Sequence, residues 1–89
     1  MKTIVINQDD SLLIERLFFQ YNATKDIIAF LMTKEDLNVE ALQSYMETAE
    51  RRFIELEMEK RRVVCSVGGN PDASYMFNFA DFTLTCEMI

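Results

Sequence analysis

Both glycines and the only proline of this 89-residue chain lie between residues 68 and 71. Residues 1–67 therefore contain neither of the two amino acids that most strongly interrupt regular secondary structure. Two long stretches of this segment show apolar residues at alternating spacings of four and three, which predicts amphipathic helices. The polar segment 34–38 between them has a length that typically joins antiparallel helices. The pattern therefore predicts a long hairpin of two helices.

The first helix is predicted over about residues 10–33, with Asp9 or Asp10 as its N-cap. Its apolar stripe is Ile14, Leu17, Tyr21, Thr24, Ile28 and Leu31. The second helix is predicted over about residues 39–63, with Asn38 as its N-cap. Its stripe is Leu42, Met46, Ala49, Phe53, Leu56, Lys60 and Val63. The two stripes are expected to pack against each other as the core of the hairpin.

Opposite charges lie four residues apart on the other face of the second helix. The pairs are Glu47–Arg51, Arg51–Glu55 and Glu57–Arg61. Residues at this spacing are neighbours on a helix surface, so we expect ion pairs along a solvated face.

Short β-segments are predicted at both ends of the chain. They comprise a strand over residues 2–7, a Gly/Pro loop over 68–73 and an alternating segment over 75–88. The alternation slips by one residue near Ala80-Asp81, which either a turn or a β-bulge explains. Residues 63–67 are rich in β-branched side chains and fit either the end of the helix or a strand.

The predicted fold is α+β and comprises a single domain over residues 1–89. It is a long antiparallel two-helix hairpin with a small β-sheet formed by the N- and C-terminal segments. An antiparallel hairpin brings both ends of the chain together, so these segments can pair into two or three strands. A sheet of this size is marginal alone and is expected to pack on the helices or on another chain.

A second apolar stripe lies on the first helix, roughly opposite its core stripe. It consists of Leu12, Phe19, Ala23 and Phe30, and two residues of the second helix, Ile54 and Met58, also fall outside the core stripe. A helix in a two-helix hairpin needs only one apolar face, so this one requires a cover. Either the C-terminal strands fold back over it, or a partner chain packs on it. The six residues form the candidate interface of a homo-oligomer, a dimer or higher.

The residue types exclude most catalytic and ligand-binding chemistry. The absence of His removes most general-base, triad and zinc arrangements. Cys65 and Cys86 lie 21 residues apart without a CxxC motif and are expected to be two small buried apolar groups, although a disulfide between them is an alternative. We expect no catalytic residue, no metal site and no cofactor, and therefore a protein that is not an enzyme.

The charge and the hydropathy of the chain argue against contact with nucleic acid or with a membrane. The net charge of −6 argues against direct binding of nucleic acid or of an anionic membrane surface. No apolar stretch approaches the roughly 20 residues needed to span a bilayer. With only two cysteines and no signal-peptide pattern, we expect a soluble cytoplasmic protein.

Three segments carry a resemblance to a known group of proteins. They are Glu15-Arg16-Leu17, residues 21–28 (YNATKDII) and residues 75–82 (YMFNFADF). Together they resemble small hairpin proteins encoded in phage and prophage structural gene clusters of Firmicutes. The resemblance implies a structural or assembly role, with the phage particle as a second expected location, and it implies no functional residue.

These observations favour a non-enzymatic structural, assembly or protein-interaction module that self-associates through the second apolar face of the first helix. The alternative is an acidic inhibitor or adaptor that binds a basic protein surface through the Glu-rich face of the second helix. A third reading takes Gly68-Gly69 as the processing site of a peptide precursor.

Overall fold

The computed structural model describes all 89 residues as two helices and three strands. The elements are β1 (Lys2–Val5), α1 (Gln8–Met32), α2 (Val39–Ser66), β2 (Tyr75–Asn78) and β3 (Thr83–Cys86). The helices pack as a hairpin, and the strands form one antiparallel sheet in the order β1-β3-β2. The predicted α+β fold, with a sheet formed by both ends of the chain, is confirmed.

The N-caps of the two helices are asparagines. The side-chain oxygen of Asn38 accepts the backbone N–H of Ala41 at 3.0 Å, which confirms the predicted start of α2. α1 begins earlier than predicted, because Asn7 is its N-cap and accepts the N–H of Asp9 at 2.8 Å. The expectation that Asp9 or Asp10 caps α1 is therefore wrong. Both carboxylates lie in the first turn, where they face the positive end of the helix dipole.

The β-branched segment 63–67, for which the sequence allowed either a helix or a strand, is helical as far as Ser66, where α2 ends. Gly68, with φ of 81°, donates to the carbonyl of Cys65 at 3.1 Å, and Gly69 donates to that of Val64 at 2.9 Å. This pair of bonds is a Schellman motif, which needs a left-handed residue after the helix. Gly68 and Gly69 therefore form the C-terminal cap of α2.

β3 is the central strand of the sheet and contributes two fully buried side chains, Leu84 and Cys86. A four-residue turn, 79–82, connects β2 to β3, and Phe82 within it has φ of 54°. The side-chain oxygen of Asn78 accepts the N–H groups of Ala80 and Asp81 at 3.1 and 3.3 Å. The slip in the alternating pattern is therefore a turn and not a bulge.

The core lies at the end of the hairpin that carries the sheet. It contains eight buried residues: Ile6, Ile14, Leu17, Leu56, Val63, Val64, Leu84 and Cys86. No residue between Lys25 and Thr48 is buried. Met46 and Phe53, which were expected in the core, are exposed, so that expectation is wrong. The sheet does not reach this half of the hairpin, and two helices alone cannot enclose a large side chain.

The ion pairs also differ from the expected ones. None of the three predicted pairs on α2 forms. Side-chain pairs form instead between Glu57 and Lys60, Glu59 and Arg62, Asp10 and Arg62, and Arg61 and Asp72. Two of these pairs use acids from outside α2, namely Asp10 of α1 and Asp72 of the following loop. The other two lie within α2 but join residues three positions apart instead of four.

Candidate self-association surface

The second apolar stripe of α1 lies on the solvent side of the hairpin. At about 100° per residue, Leu12, Phe19, Ala23 and Phe30 lie within roughly 40° of one another, and the centre of this group is about 100–160° from the four buried side chains of the same helix. Leu12, Phe19 and Phe30 are 46%, 64% and 59% exposed, and Ala23 is also exposed. We call these four residues the outer stripe of α1.

The C-terminal strands do not cover this outer stripe. The aromatic face of β2 is directed towards the core, where Phe77 and Tyr75 lie beside Ile14 and Leu56. The aromatic residues of the C-terminal segment reach α1 as far as Phe18, whose ring centroid is 6.4 Å from that of Phe79. The C-terminal strands of a chain therefore do not fold over its own second apolar face.

The two predicted interface residues of α2 do not join the outer stripe. Ile54 and Met58 are at least half exposed, and they lie on the side of α2 opposite the buried Leu56. Each group therefore occupies the side of its own helix that points away from the hairpin core. The six residues are all exposed but form two separate surfaces, so one two-fold contact cannot bury both.

The molecule is extended, with principal dimensions of 50 × 24 × 19 Å and a radius of gyration of 16.0 Å. A compact domain of this length has a radius of gyration of about 12 Å. The accessible surface is 6151 Å², whereas about 5,400 Å² is expected for a compact monomer of this mass. The chain therefore exposes more surface than a compact monomer does, and much of the hairpin has no neighbour within the chain.

Two charged residues share the outer side of α1 with the apolar stripe. Arg16 and Asp26 are both exposed, and neither forms an ion pair within the chain. They continue the four-three spacing of the stripe, because Arg16 lies between Leu12 and Phe19 and Asp26 lies between Ala23 and Phe30. Sequence reasoning missed them because it considered apolar residues alone, although the spacing itself contained the signal.

A small apolar hollow lies between the sheet and the helices. It has a volume of about 250 Å³ and is lined by Ile14, Phe18, Leu56, Lys60, Tyr75, Met76, Phe77 and Phe79. Ligand pockets usually measure about 300–1,000 Å³ and present several polar groups. Lys60 is the one charged group here, and Glu57 already accepts from it at 2.9 Å. Burial raises the pKa of the Tyr75 hydroxyl, and Lys60, 5.5 Å from its ring, partly opposes the shift.

The other candidate groups do not form a site. Cys86 is buried as expected, whereas Cys65 is exposed on α2, so the expectation that both are buried is wrong for Cys65. Both thiols are free. No three acidic or cysteine side chains converge in a way that could hold a metal ion.

A comparison with protein-family models, curated proteins and solved structures finds no significant match to this chain. Neither helix has a segment that is both long and apolar enough to cross a bilayer.

Proposed function

We propose that this protein is a non-enzymatic assembly module that self-associates through the outer stripe of α1. The exposure of Leu12, Phe19 and Phe30 along one side of a regular helix carries the proposal. Large apolar side chains exposed along one side of a helix commonly mark a protein interface. Aromatic residues, including Phe, are enriched in protein interfaces relative to the rest of the surface.

A second copy of the chain is the occupant that the charges favour. The outer side of α1 carries one exposed cation, Arg16, and one exposed anion, Asp26, without partners in the chain. A two-fold contact uses the same surface on both copies, so a surface that carries both signs can satisfy itself. A purely basic or acidic partner would match only one of these two charges.

Light scattering coupled to size exclusion at micromolar concentration tests the proposal. We expect wild type to have at least twice the 10.4 kDa mass of one chain. Phe19→Glu should dissociate it, because burial of an unpaired carboxylate costs several kcal/mol. Ile54→Glu is the matched control, since it places the same charge on the outer side of α2, and it should leave the mass unchanged.

Circular dichroism distinguishes dissociation from unfolding. A monomeric wild type at all concentrations contradicts the proposal. An oligomer that Ile54→Glu dissociates and Phe19→Glu does not would place the interface on α2. Loss of helical signal in Phe19→Glu would also contradict it, because Phe19 would then belong to the core of one chain.

The acidic face of α2 supports a second candidate function, binding of a basic protein surface. Glu47, Glu50 and Glu55 are exposed and form no ion pair within the chain. Exposed carboxylates without an ion pair attract a cationic partner over a distance of about one Debye length. A monomeric wild type that binds basic proteins in a salt-sensitive manner would favour this function over self-association.

The resemblance to small hairpin proteins of phage structural gene clusters points to the same class of assembly role. We propose a cytoplasmic location, since a fold with two unbonded cysteines does not require an oxidising compartment.

A further inference from the structure

The outer side of α1 is complementary to itself when read in the opposite direction. Six positions follow one another at spacings of four, three, four, three and four: Leu12, Arg16, Phe19, Ala23, Asp26 and Phe30. They lie symmetrically about position 21. Leu12 and Phe30 are each nine residues from it, Arg16 and Asp26 five, and Phe19 and Ala23 two.

An antiparallel pair of these helices, with its two-fold axis near position 21, aligns residues that are equally distant from that position. Leu12 then meets Phe30 of the second copy, and Phe19 meets Ala23. Arg16 meets Asp26, and symmetry repeats this ion pair on the other side of the axis. The alternating spacing is that of a helix-packing seam, and the six positions extend over about 27 Å of helix.

We infer that, if the protein self-associates through α1 as proposed above, the assembly contains an antiparallel dimer in which Arg16 of each copy pairs with Asp26 of the other. The side chains that meet in this contact complement each other in size or in charge. A large ring, Phe19, meets the smallest side chain of the stripe, Ala23, so that the helices can approach closely. The guanidinium of Arg16 meets a carboxylate, a pairing that permits two parallel hydrogen bonds.

The charges also select the orientation. In a parallel pair, Arg16 would lie beside Arg16 of the second copy, and Asp26 would lie beside Asp26. Like charges directly opposite each other are destabilising, so the parallel arrangement is disfavoured. The antiparallel register converts the same four charges into two attractive pairs.

The outer side of α2 lacks this complementarity. The equivalent series on α2 is Glu47, Arg51, Ile54, Met58, Arg61 and Cys65, with the same spacings. Antiparallel pairing about its centre would place Arg51 opposite Arg61 of the second copy. Arg61 is also already bonded to Asp72 at 3.1 Å. The two helices therefore differ in their capacity for symmetric pairing, and only α1 has matched charges.

Charge exchange between positions 16 and 26 tests the register. Sedimentation equilibrium would compare wild type, Arg16→Glu, Asp26→Arg and the double variant Arg16→Glu/Asp26→Arg. Each single variant converts two attractive pairs into two repulsive ones, and the dimer Kd should rise by about 10- to 30-fold. The double variant restores two opposite-charge pairs, so its Kd should return to within about threefold of the wild-type value.

Matched controls separate this effect from a general effect of charge. Arg51→Glu and Glu47→Arg make the same charge changes at exposed positions of α2, and we expect no change in Kd. An equimolar mixture of the two single variants offers a second measurement, because every pair in the mixed antiparallel dimer has opposite charges. The mixture should dimerise more tightly than either variant alone.

The possible results distinguish this register from self-association in general. A wild type that is monomeric at all concentrations overturns the proposed function and the register together. A dimeric wild type whose Kd is unchanged in both single variants retains the proposed function and overturns the register. The same conclusion follows if the single variants weaken the dimer but neither the double variant nor the mixture restores it.

Discussion

Arg62 of α2 is bonded to Asp10 of α1, with its Nη2 atom donating to Oδ1 at 2.8 Å across 52 residues of sequence. Its Nε atom donates to Oε2 of Glu59, also at 2.8 Å. These hydrogen bonds, first that to Asp10 and then that to Glu59, raise the pKa of the Arg62 guanidinium. The Arg62–Asp10 pair joins the first turn of α1 to the last part of α2 at the end of the hairpin that carries the sheet.

Arg62→Gln should lower the free energy of unfolding by about 1 kcal/mol, because it removes two ion pairs that are partly exposed. A thermal melt should show a midpoint lower by about 4–8 °C. Arg51→Gln is the control, since Arg51 is exposed and unpaired, and its midpoint should not change. Equal midpoints for the two variants would show that the bond to Asp10 contributes nothing to stability.

Leu56→Ala should destabilise the protein more than Phe53→Ala does. Leu56 is 3% exposed within the core, so its truncation should cost about 2–5 kcal/mol. Phe53 is 45% exposed and packs on one side against Tyr21, with ring centroids 5.4 Å apart, so its truncation should cost only about 1–2 kcal/mol. Urea titration would measure both values, and the reverse order would mean that the half of the hairpin away from the sheet is more tightly packed than the structure shows.

Gly69→Ala should be strongly destabilising although it adds only one methyl group. A Cβ atom at this position would lie 2.8 Å from Cys86 Sγ and 3.0 Å from the backbone oxygen of Val64. Such overpacking typically costs about 1–3 kcal/mol. Gly68→Asn is the control, because asparagine tolerates positive φ and a Cβ atom there meets only the flexible end of Met88 at 3.6 Å. A Gly69→Ala midpoint equal to that of wild type would contradict the close contact between α2 and β3.

Stability should fall at alkaline pH because of Tyr75. Burial raises the pKa of its hydroxyl above the ordinary value of 10.0, so folding favours the protonated form. This contribution is fully present below pH 10 and is lost as the pH rises through the folded-state pKa. Thermal melts from pH 8 upward should show a decline that is smaller in Tyr75→Phe. If both proteins decline in parallel, Tyr75 does not contribute to the pH dependence.

The helical hairpin was predictable because its signals are local. The four-three apolar spacing, the Asn38 N-cap and the Gly/Pro segment at 68–71 each depend on residues within a few positions of one another. The outer stripe of α1 was identified in the same way. The start of α1 was misplaced because Asn7, Asp9 and Asp10 are all good caps, and only the backbone geometry selects one of them.

The sequence alone determined which segments form helices and strands, since apolar periodicity acts between neighbours on one element. The tertiary structure decided which apolar residues are buried. Phe53 and Leu56 occupy the same stripe of α2, yet Leu56 is buried and Phe53 is exposed. The reason is that burial requires neighbours on several sides, and the sheet formed by distant parts of the chain supplies them only along the half of the hairpin that it covers. The outer stripe of α1 is exposed for a different reason: Leu12 and Phe19 lie in the same stretch of helix as the buried Ile14 and Leu17, but on the side that points away from the core.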